Sequence, residues 1–218
     1  MLVWSPLEAL PRGFLGPGAT IVDVGAHVGE WAEAILRFLV APQLVAIEPG
    51  PEAFARLTAR LEAAPGVSLY RCAVGSAQGE GVLNLMASSD LNSLLSPSSD
   101  LCRRYPGGNV QGSVIVPVMP LDILLAAYER VDLLKIDVQG SEASALSGAG
   151  AVLSRTRAVQ LEVNFQSHYS GDSLFWDLHQ ILTDAGFHLH NLVNLYQGSE
   201  LPLQWGDAIY MRDEAGGP

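Results

Sequence analysis

Basic residues are scarce. The chain has one lysine, Lys135, and 12 Lys+Arg among 218 residues, against 23 Asp+Glu, for a formal net charge of -11. A nucleic-acid binder needs a basic footprint, so nucleic acid is not expected as a partner. An anionic membrane surface is disfavoured for the same reason. Cysteine is nearly absent: Cys72 and Cys102 cannot build a disulfide framework or a zinc knuckle. No apolar run approaches the ~18 residues of a membrane-spanning helix. The opening MLVWSPLEALPRG lacks a basic start and a sustained apolar stretch, so no signal peptide is expected. These absences lead to the expectation of a soluble, cytoplasmic protein. Charged residues reach only 16%, against about 25% in ordinary domains. Hydrophobic residues make up 49%, which excludes intrinsic disorder. A surface so poor in charge leaves a homodimer open.

At roughly 100–200 residues per domain, residues 1–218 form one domain. Ala19 to Val24 is short and rich in β-branched residues, as in a strand buried on both faces. Gly25 to Gly29 follows as a turn, and Trp31, Ala34, Ile35, Phe38 and Leu39 recur at helical spacing. The unit repeats: Leu44 to Ile47 as a strand, then a helix from Pro51 with Phe54, Leu57 and Leu61 on one face, then a third strand over Val67 to Val74. The middle breaks the alternation. Val82 to Leu85 and Ser113 to Val118 read as short strands, and Leu121 to Tyr128 as a helix. Residues 88–112 show no periodicity and read as a lid loop, since loops this long are usually functional or mobile. Strand–turn–helix resumes at Val131 to Val138, and Ala158 to Val163 is a fifth main strand. A helix over Leu174 to Ala185 ends at Gly186. Phe187 to Val193 and Asp207 to Met211 leave no room for a helix between them and read as an antiparallel pair. Residues 1–18 are an N-terminal segment and 213–218 a loose tail. The expected architecture is a doubly wound, mostly parallel α/β sheet with a C-terminal antiparallel hairpin. Such sheets bind ligands beyond the carboxyl ends of their strands.

Three clusters carry chemistry there. The first is Asp23-Val24-Gly25-Ala26-His27-Val28-Gly29. Gly25 lets the backbone turn sharply toward a ligand, Gly29 lets the helix start close to the strand, and Asp23 can accept a hydrogen bond from a ligand ammonium. His27 stands where a dinucleotide fingerprint needs its middle glycine, which argues against NAD. The second is Glu48 at the end of the second strand, placed to hold both hydroxyls of a ribose, with Pro49 offering an apolar face to an adenine ring. Together they describe a nucleoside without a pyrophosphate, and S-adenosylmethionine fits. The third is Lys135-Ile136-Asp137-Val138-Gln139-Gly140-Ser141-Glu142, in which Lys135 and Asp137 share one strand face. The alternative for that pair is a buried ion pair that only positions the strand.

The pattern resembles the FkbM-type family of S-adenosylmethionine-dependent methyltransferases. The resemblance rests on IVDVGAHVGEWA (21–32), VAIEPGPEAFARL (45–57), YRCAVGSAQG (70–79) and LLKIDVQGSEASALSGA (133–149). The family usually has a glutamate where this chain has Gln139. The resemblance implies a class I, Rossmann-like fold and an O-methyltransferase acting on a hydroxyl of a small molecule, a sugar or a natural product. It implies that Asp23, Gly25 and Gly29 line the methionine end of the cofactor and that Glu48 holds the ribose. Ala73 and Val74 would lie by the adenine, Asp137 near the transferred methyl, and the segment with Ser93 would close over the cofactor.

An unactivated alcohol benefits from proton removal. The candidates near the strand ends are Asp137, Glu162 and His168. A Mg²⁺ held by Asp137, Glu162 and Asn164 is open but not favoured. The competing readings are an NAD-dependent oxidoreductase and a non-catalytic nucleoside-binding protein on the same fold.

Overall fold

The computed structural model describes residues 9–198 and 202–212. Residues 1–8, Trp4 among them, and the expected tail 213–218 lie outside the described residues.

Seven strands form the main sheet, in the order β3-β2-β1-β7-β8-β10-β9. They are β1 (Thr20–Val24), β2 (Gln43–Ile47), β3 (Val67–Tyr70), β7 (Val131–Ile136), β8 (Thr156–Asn164), β9 (Phe187–Gln197) and β10 (Leu203–Arg212). The first five are parallel. β10 runs antiparallel to both β8 and β9, so the expected hairpin lies at the sheet edge with its second strand inside. Helices α1 (Glu30–Phe38) and α2 (Pro51–Leu61) cover one face; α5 (Glu142–Ser147), α6 (Gly150–Leu153) and α7 (Phe175–Asp184) cover the other.

Alternation along each strand builds both cores at once. Ile21, Leu44, Ala46 and Leu133 pack with Ile35, Leu57 and Leu61 of the first helix pair. Val22, Val24, Leu134, Ile136, Leu161 and Val163 pack with Leu146, Val152, Leu178 and Leu182 on the other side. Burial on both faces explains why β1 and β7 contain no exposed residue. Parity then decides where the polar residues point: Asp23 follows Ile21, and Lys135 follows Leu133, onto the α1–α2 face.

The middle of the chain departs from the expectation in three ways. The single strand over Val67 to Val74 is two strands. Ile47, the last residue of β2, pairs with Tyr70, so no partner remains beyond it. The chain turns away, and β4 (Ala73–Val74) joins a second sheet with β5 (Gly79–Met86) and β6 (Val110–Met119), in the order β4-β6-β5. Residues 88–112 hold a 3-10 turn (Ser89–Leu91), helix α3 (Ser99–Arg104) and the start of β6. Ser98 caps α3 by accepting the Leu101 N–H at 3.1 Å, and Leu101 packs with Met86 and Tyr169. The helix expected over Leu121 to Tyr128 is one turn, α4 (Leu121–Leu124).

Candidate active site

A cavity of about 700 Å³ opens at the carboxyl ends of β1, β2, β7 and β8. That is within the size of small-molecule sites, about 300–1,000 Å³. Its floor is the turn after β1. The Gly25 and Ala26 N–H groups donate to the Ile47 carbonyl at 2.9 and 3.0 Å, and the Asp137 N–H donates to Val24. This brings the backbones of two turns together. Gly25 has φ +79°, and a Cβ there would run into the Asp137 carbonyl oxygen. The close approach therefore requires glycine.

Gly29 also has positive φ, but it does not line the cavity. A Cβ there would meet Leu57 at 2.7 Å, so Gly29 lets α1 pack on α2 and contributes to the site only through packing.

Glu48 is held from below. Its Oε1 accepts the Gly50 N–H at 2.7 Å and its Oε2 the His27 N–H at 2.9 Å. Each oxygen keeps a lone pair for a hydroxyl donor from the cavity. Burial pushes this carboxyl up, and the two N–H groups pull it back. Beside it Pro49, Cys72, Ala73, Val74, Leu83 and Leu94 form an apolar wall. Burial raises the Cys72 thiol to about 11, which keeps it protonated near neutral pH. His27 reaches across to the Ser89 hydroxyl at 2.8 Å. Ser93 is almost fully buried and its hydroxyl donates to the Gln139 carbonyl at 2.7 Å, tying the segment after β5 to the turn after β7.

Asp23 lies beneath the cavity, and its carboxylate does not line it. It is fully buried, with Oδ1 3.1 Å from Lys135 Nζ. Lys135 is also 3.5 Å from Asp137 Oδ2. Burial alone would lower the lysine, but Asp23 and then Asp137 overcome it and hold the ammonium above its ordinary value. Lys135 is thus the centre of a triad with Asp23 and Asp137, where the sequence offers a Lys135–Asp137 ion pair as the alternative. Its strongest contact is with Asp23, the register partner of Lys135 across β1 and β7.

The far end of the cavity is acidic. Asp137, Glu162 and Asp207 line it, with Lys135 as the one lysine or arginine among the described lining residues. Gln139 Nε2 is 2.9 Å from Asp137 Oδ1 and 2.9 Å from Glu162 Oε2. Burial, and then the negative charges of Asp137, Glu142 and Asp207, hold Glu162 well above the carboxylate range. Glu142 lies just behind, its Oε1 accepting the Val138 and Gly140 N–H groups at 3.1 Å each.

The hairpin supplies the outer wall. Asn194 Nδ2 donates to Asp207 at 2.6 Å, and Tyr196 stacks on Trp205 with centroids 5.3 Å apart. Sequence reasoning did not single out Asn194, Tyr196, Trp205 or Asp207 as site residues. The only signal available was Asp207, an acid at the start of the otherwise apolar run expected as a strand over Asp207 to Met211.

His168 and Asn164 do not line the cavity. Both are buried. The His168 ring packs edge-on against Tyr105 at 5.8 Å, and its backbone carbonyl accepts the Ser98 N–H. Burial pushes its imidazole down. The structure therefore gathers Asp137 and Glu162 and leaves His168 outside. Among the described residues no group of three or more His, Cys, Asp and Glu side chains is arranged to hold a metal ion.

Two buried polar atoms at the cavity wall, Ser141 Oγ and Gln160 Oε1, have no hydrogen-bond partner among the described residues. Buried polar groups are normally paired, so these fit a polar ligand. A glycine turn free of side chain, an apolar wall, an oriented carboxylate and unmet polar atoms together suit an adenosine carrying an amino-acid tail.

Residues 23–189 match the family model described as Methyltransferase FkbM domain. The 2-O-methyltransferase NoeI of Sinorhizobium fredii (strain NBRC 101917 / NGR234) is 26% identical over 165 residues, covering 71% of this chain and 67% of that protein. Among solved structures, the precorrin-6y C5,15-methyltransferase of Geobacter metallireducens GS-15 superposes with a TM-score of 0.53 at 12% identity. The match covers 95% of this chain and 84% of that one. The magnesium protoporphyrin IX methyltransferase ChlM of Synechocystis PCC 6803, with bound SAM, gives 0.50 at 12% identity, covering 90% and 71%. At these identities the two structures bear on the fold alone, and the fold is that of class I methyltransferases.

Proposed function

The chain belongs to the FkbM methyltransferase family, and on that premise we propose that it is an S-adenosylmethionine-dependent O-methyltransferase acting on a hydroxyl of a small molecule, a sugar or a natural product. One observation carries the reading. A single cavity has the oriented Glu48 carboxylate at one end and the Asp137–Glu162 carboxylate pair at the other.

S-adenosylmethionine, when bound, supplies a methyl group on a positively charged sulfur, which bonds to an acceptor oxygen as the sulfur leaves with the electron pair. The protein's residues do the rest. Glu48 accepts hydrogen bonds from the ribose hydroxyls. Pro49, Ala73 and Val74 flank the adenine. Gly25 leaves room for the methionine tail, and Ser141 Oγ and Gln160 Oε1 offer it hydrogen bonds. Asp23 contributes through Lys135, holding Asp137 at the cavity edge. Ser93 fastens the segment above the cofactor, so that residues 88–112 serve as its cover.

A hydroxyl must lose its proton as it is methylated, and the Asp137–Glu162 pair is placed to take it. Burial and the acids around it raise the affinity of Glu162 for a proton, which suits it to the task. The acidic far end disfavours an anionic acceptor. A neutral or cationic one suits the carboxylates, and its apolar face suits Tyr196 and Trp205.

Calorimetry tests the cofactor assignment. S-adenosylmethionine and S-adenosylhomocysteine should both bind, and NAD should not. Absence of binding by a folded sample would remove the methyltransferase reading. A panel of hydroxylated acceptors, scored by S-adenosylhomocysteine formation, then tests the transfer.

A further inference from the structure

Gln139 stands between two carboxylates that come from different strands. Asp137 follows β7 and Glu162 lies on β8. The Gln139 Nε2 is 2.9 Å from an oxygen of each. The nitrogen end of the amide faces the pair and donates to one oxygen of each. The other end, Oε1, is 2.8 Å from the Tyr169 hydroxyl. That hydroxyl is also 3.1 Å from the Leu91 carbonyl, and the Gln139 carbonyl accepts from Ser93. Tyr169 is fully buried. The Gln139 backbone has φ +54°, a conformation unfavourable for a non-glycine residue that persists when its surroundings enforce it. Both ends of the side chain and its own backbone are therefore held.

We propose that Gln139 is a positioning residue whose uncharged amide clamps Asp137 and Glu162 at one spacing for the acceptor hydroxyl, with Tyr169 locking the amide in place. The inference rests on the methyltransferase reading only in what the clamped pair serves; the clamp itself is a property of the folded chain. An amide suits the place because its two N–H donors match two carboxylates and it carries no proton that titrates. A glutamate there could donate to one carboxylate at most, and only while protonated. Once ionised it would be another negative charge beside the pair. The crowding is already high. Glu162 faces Asp137, Glu142 and Asp207, with Lys135 as the opposing charge and the Tyr169 hydroxyl alongside. Removing the amide takes a donor from the ionised Glu162 and leaves like charges facing each other.

The test is a carbon-detected NMR titration of the side-chain carboxyls in wild type, Gln139→Glu, Gln139→Leu and Tyr169→Phe, with circular dichroism to confirm folding. S-adenosylhomocysteine binding is measured by calorimetry on the same samples. The Glu162 midpoint should rise by about one unit in Gln139→Leu, which is a tenfold change in proton affinity. It should rise further in Gln139→Glu, and by a smaller step in Tyr169→Phe. If neither Gln139 variant folds, the Tyr169→Phe step carries the test. A Glu162 midpoint unchanged in every folded variant overturns the clamp. Unchanged midpoints with intact S-adenosylhomocysteine binding remove the clamp and leave the proposed function standing. Shifted midpoints in a protein that binds no S-adenosylhomocysteine do the reverse.

Discussion

Lys135 Nζ lies 3.1 Å from Asp23 Oδ1, and the two residues are register partners on adjacent strands, both nearly out of reach of solvent. The ring of Trp31 sits 5.5 Å from the same ammonium. Removing one member of a buried pair leaves an uncompensated charge, which costs about 3–5 kcal/mol. Lys135→Met should lose about that much in urea unfolding, and the double variant Asp23→Asn/Lys135→Met should lose less than the single. A single variant as stable as wild type would show that the pair does not hold the strands.

Glu48 tests the nucleoside end. Hydrogen bonds to a charged group contribute about 1.5–3 kcal/mol. Glu48→Ala should therefore weaken S-adenosylhomocysteine binding on the order of 10- to 100-fold by calorimetry. An unchanged affinity would place the ribose elsewhere.

Gly25 and Gly29 separate a ligand contact from a packing contact. Gly25→Ala places a methyl group against the Asp137 carbonyl at the cavity floor, so cofactor binding should be lost in whatever fraction folds. Gly29→Ala presses on Leu57 instead. Its melting temperature should fall while the folded protein still binds. Equal effects of the two changes on affinity would contradict this division.

Glu142 predicts a pH dependence. Burial raises its carboxyl from 4.5 to about 7. The folded protein therefore holds this proton more tightly than the unfolded chain. The associated stability is fully present below about pH 4.5 and is lost as the pH rises to about 7. The loss amounts to roughly 3 kcal/mol. Glu142→Gln keeps a carbonyl oxygen for the Val138 and Gly140 N–H groups and has nothing to titrate. Unfolding free energies measured from pH 4 to 8 should fall less steeply in the variant, which should be the more stable protein at pH 8. Parallel curves would mean that Glu142 is not buried as a neutral acid.

The repeated strand–turn–helix units were legible because each strand buried on both faces is a short apolar run and each helix an apolar stripe. The glycine turn, Glu48 and Asp137 were legible for a related reason: each follows such a run directly. Local pattern failed where pairing ended. Nothing in Val67 to Val74 announces that β2 has run out at Ile47, so the break before Ala73 was hidden. The helix and packed turn within residues 88–112 were hidden likewise, since Leu101 acquires its buried position only against Met86 and Tyr169.

The sequence by itself determined the main strand–turn–helix units, the cavity's place at the strand ends and Glu48, Asp137 and Glu162 as acids near it. Tertiary structure decided their roles. Strand register gave Asp23 to Lys135, and the packing of α1 on α2 set Gly29 against Leu57. Packing against Tyr105 took His168 out of the cavity. The Gln139 amide joined Asp137 to Glu162, 25 positions apart in numbering. Such contacts depend on distances across the fold, to which spacing along the chain is blind.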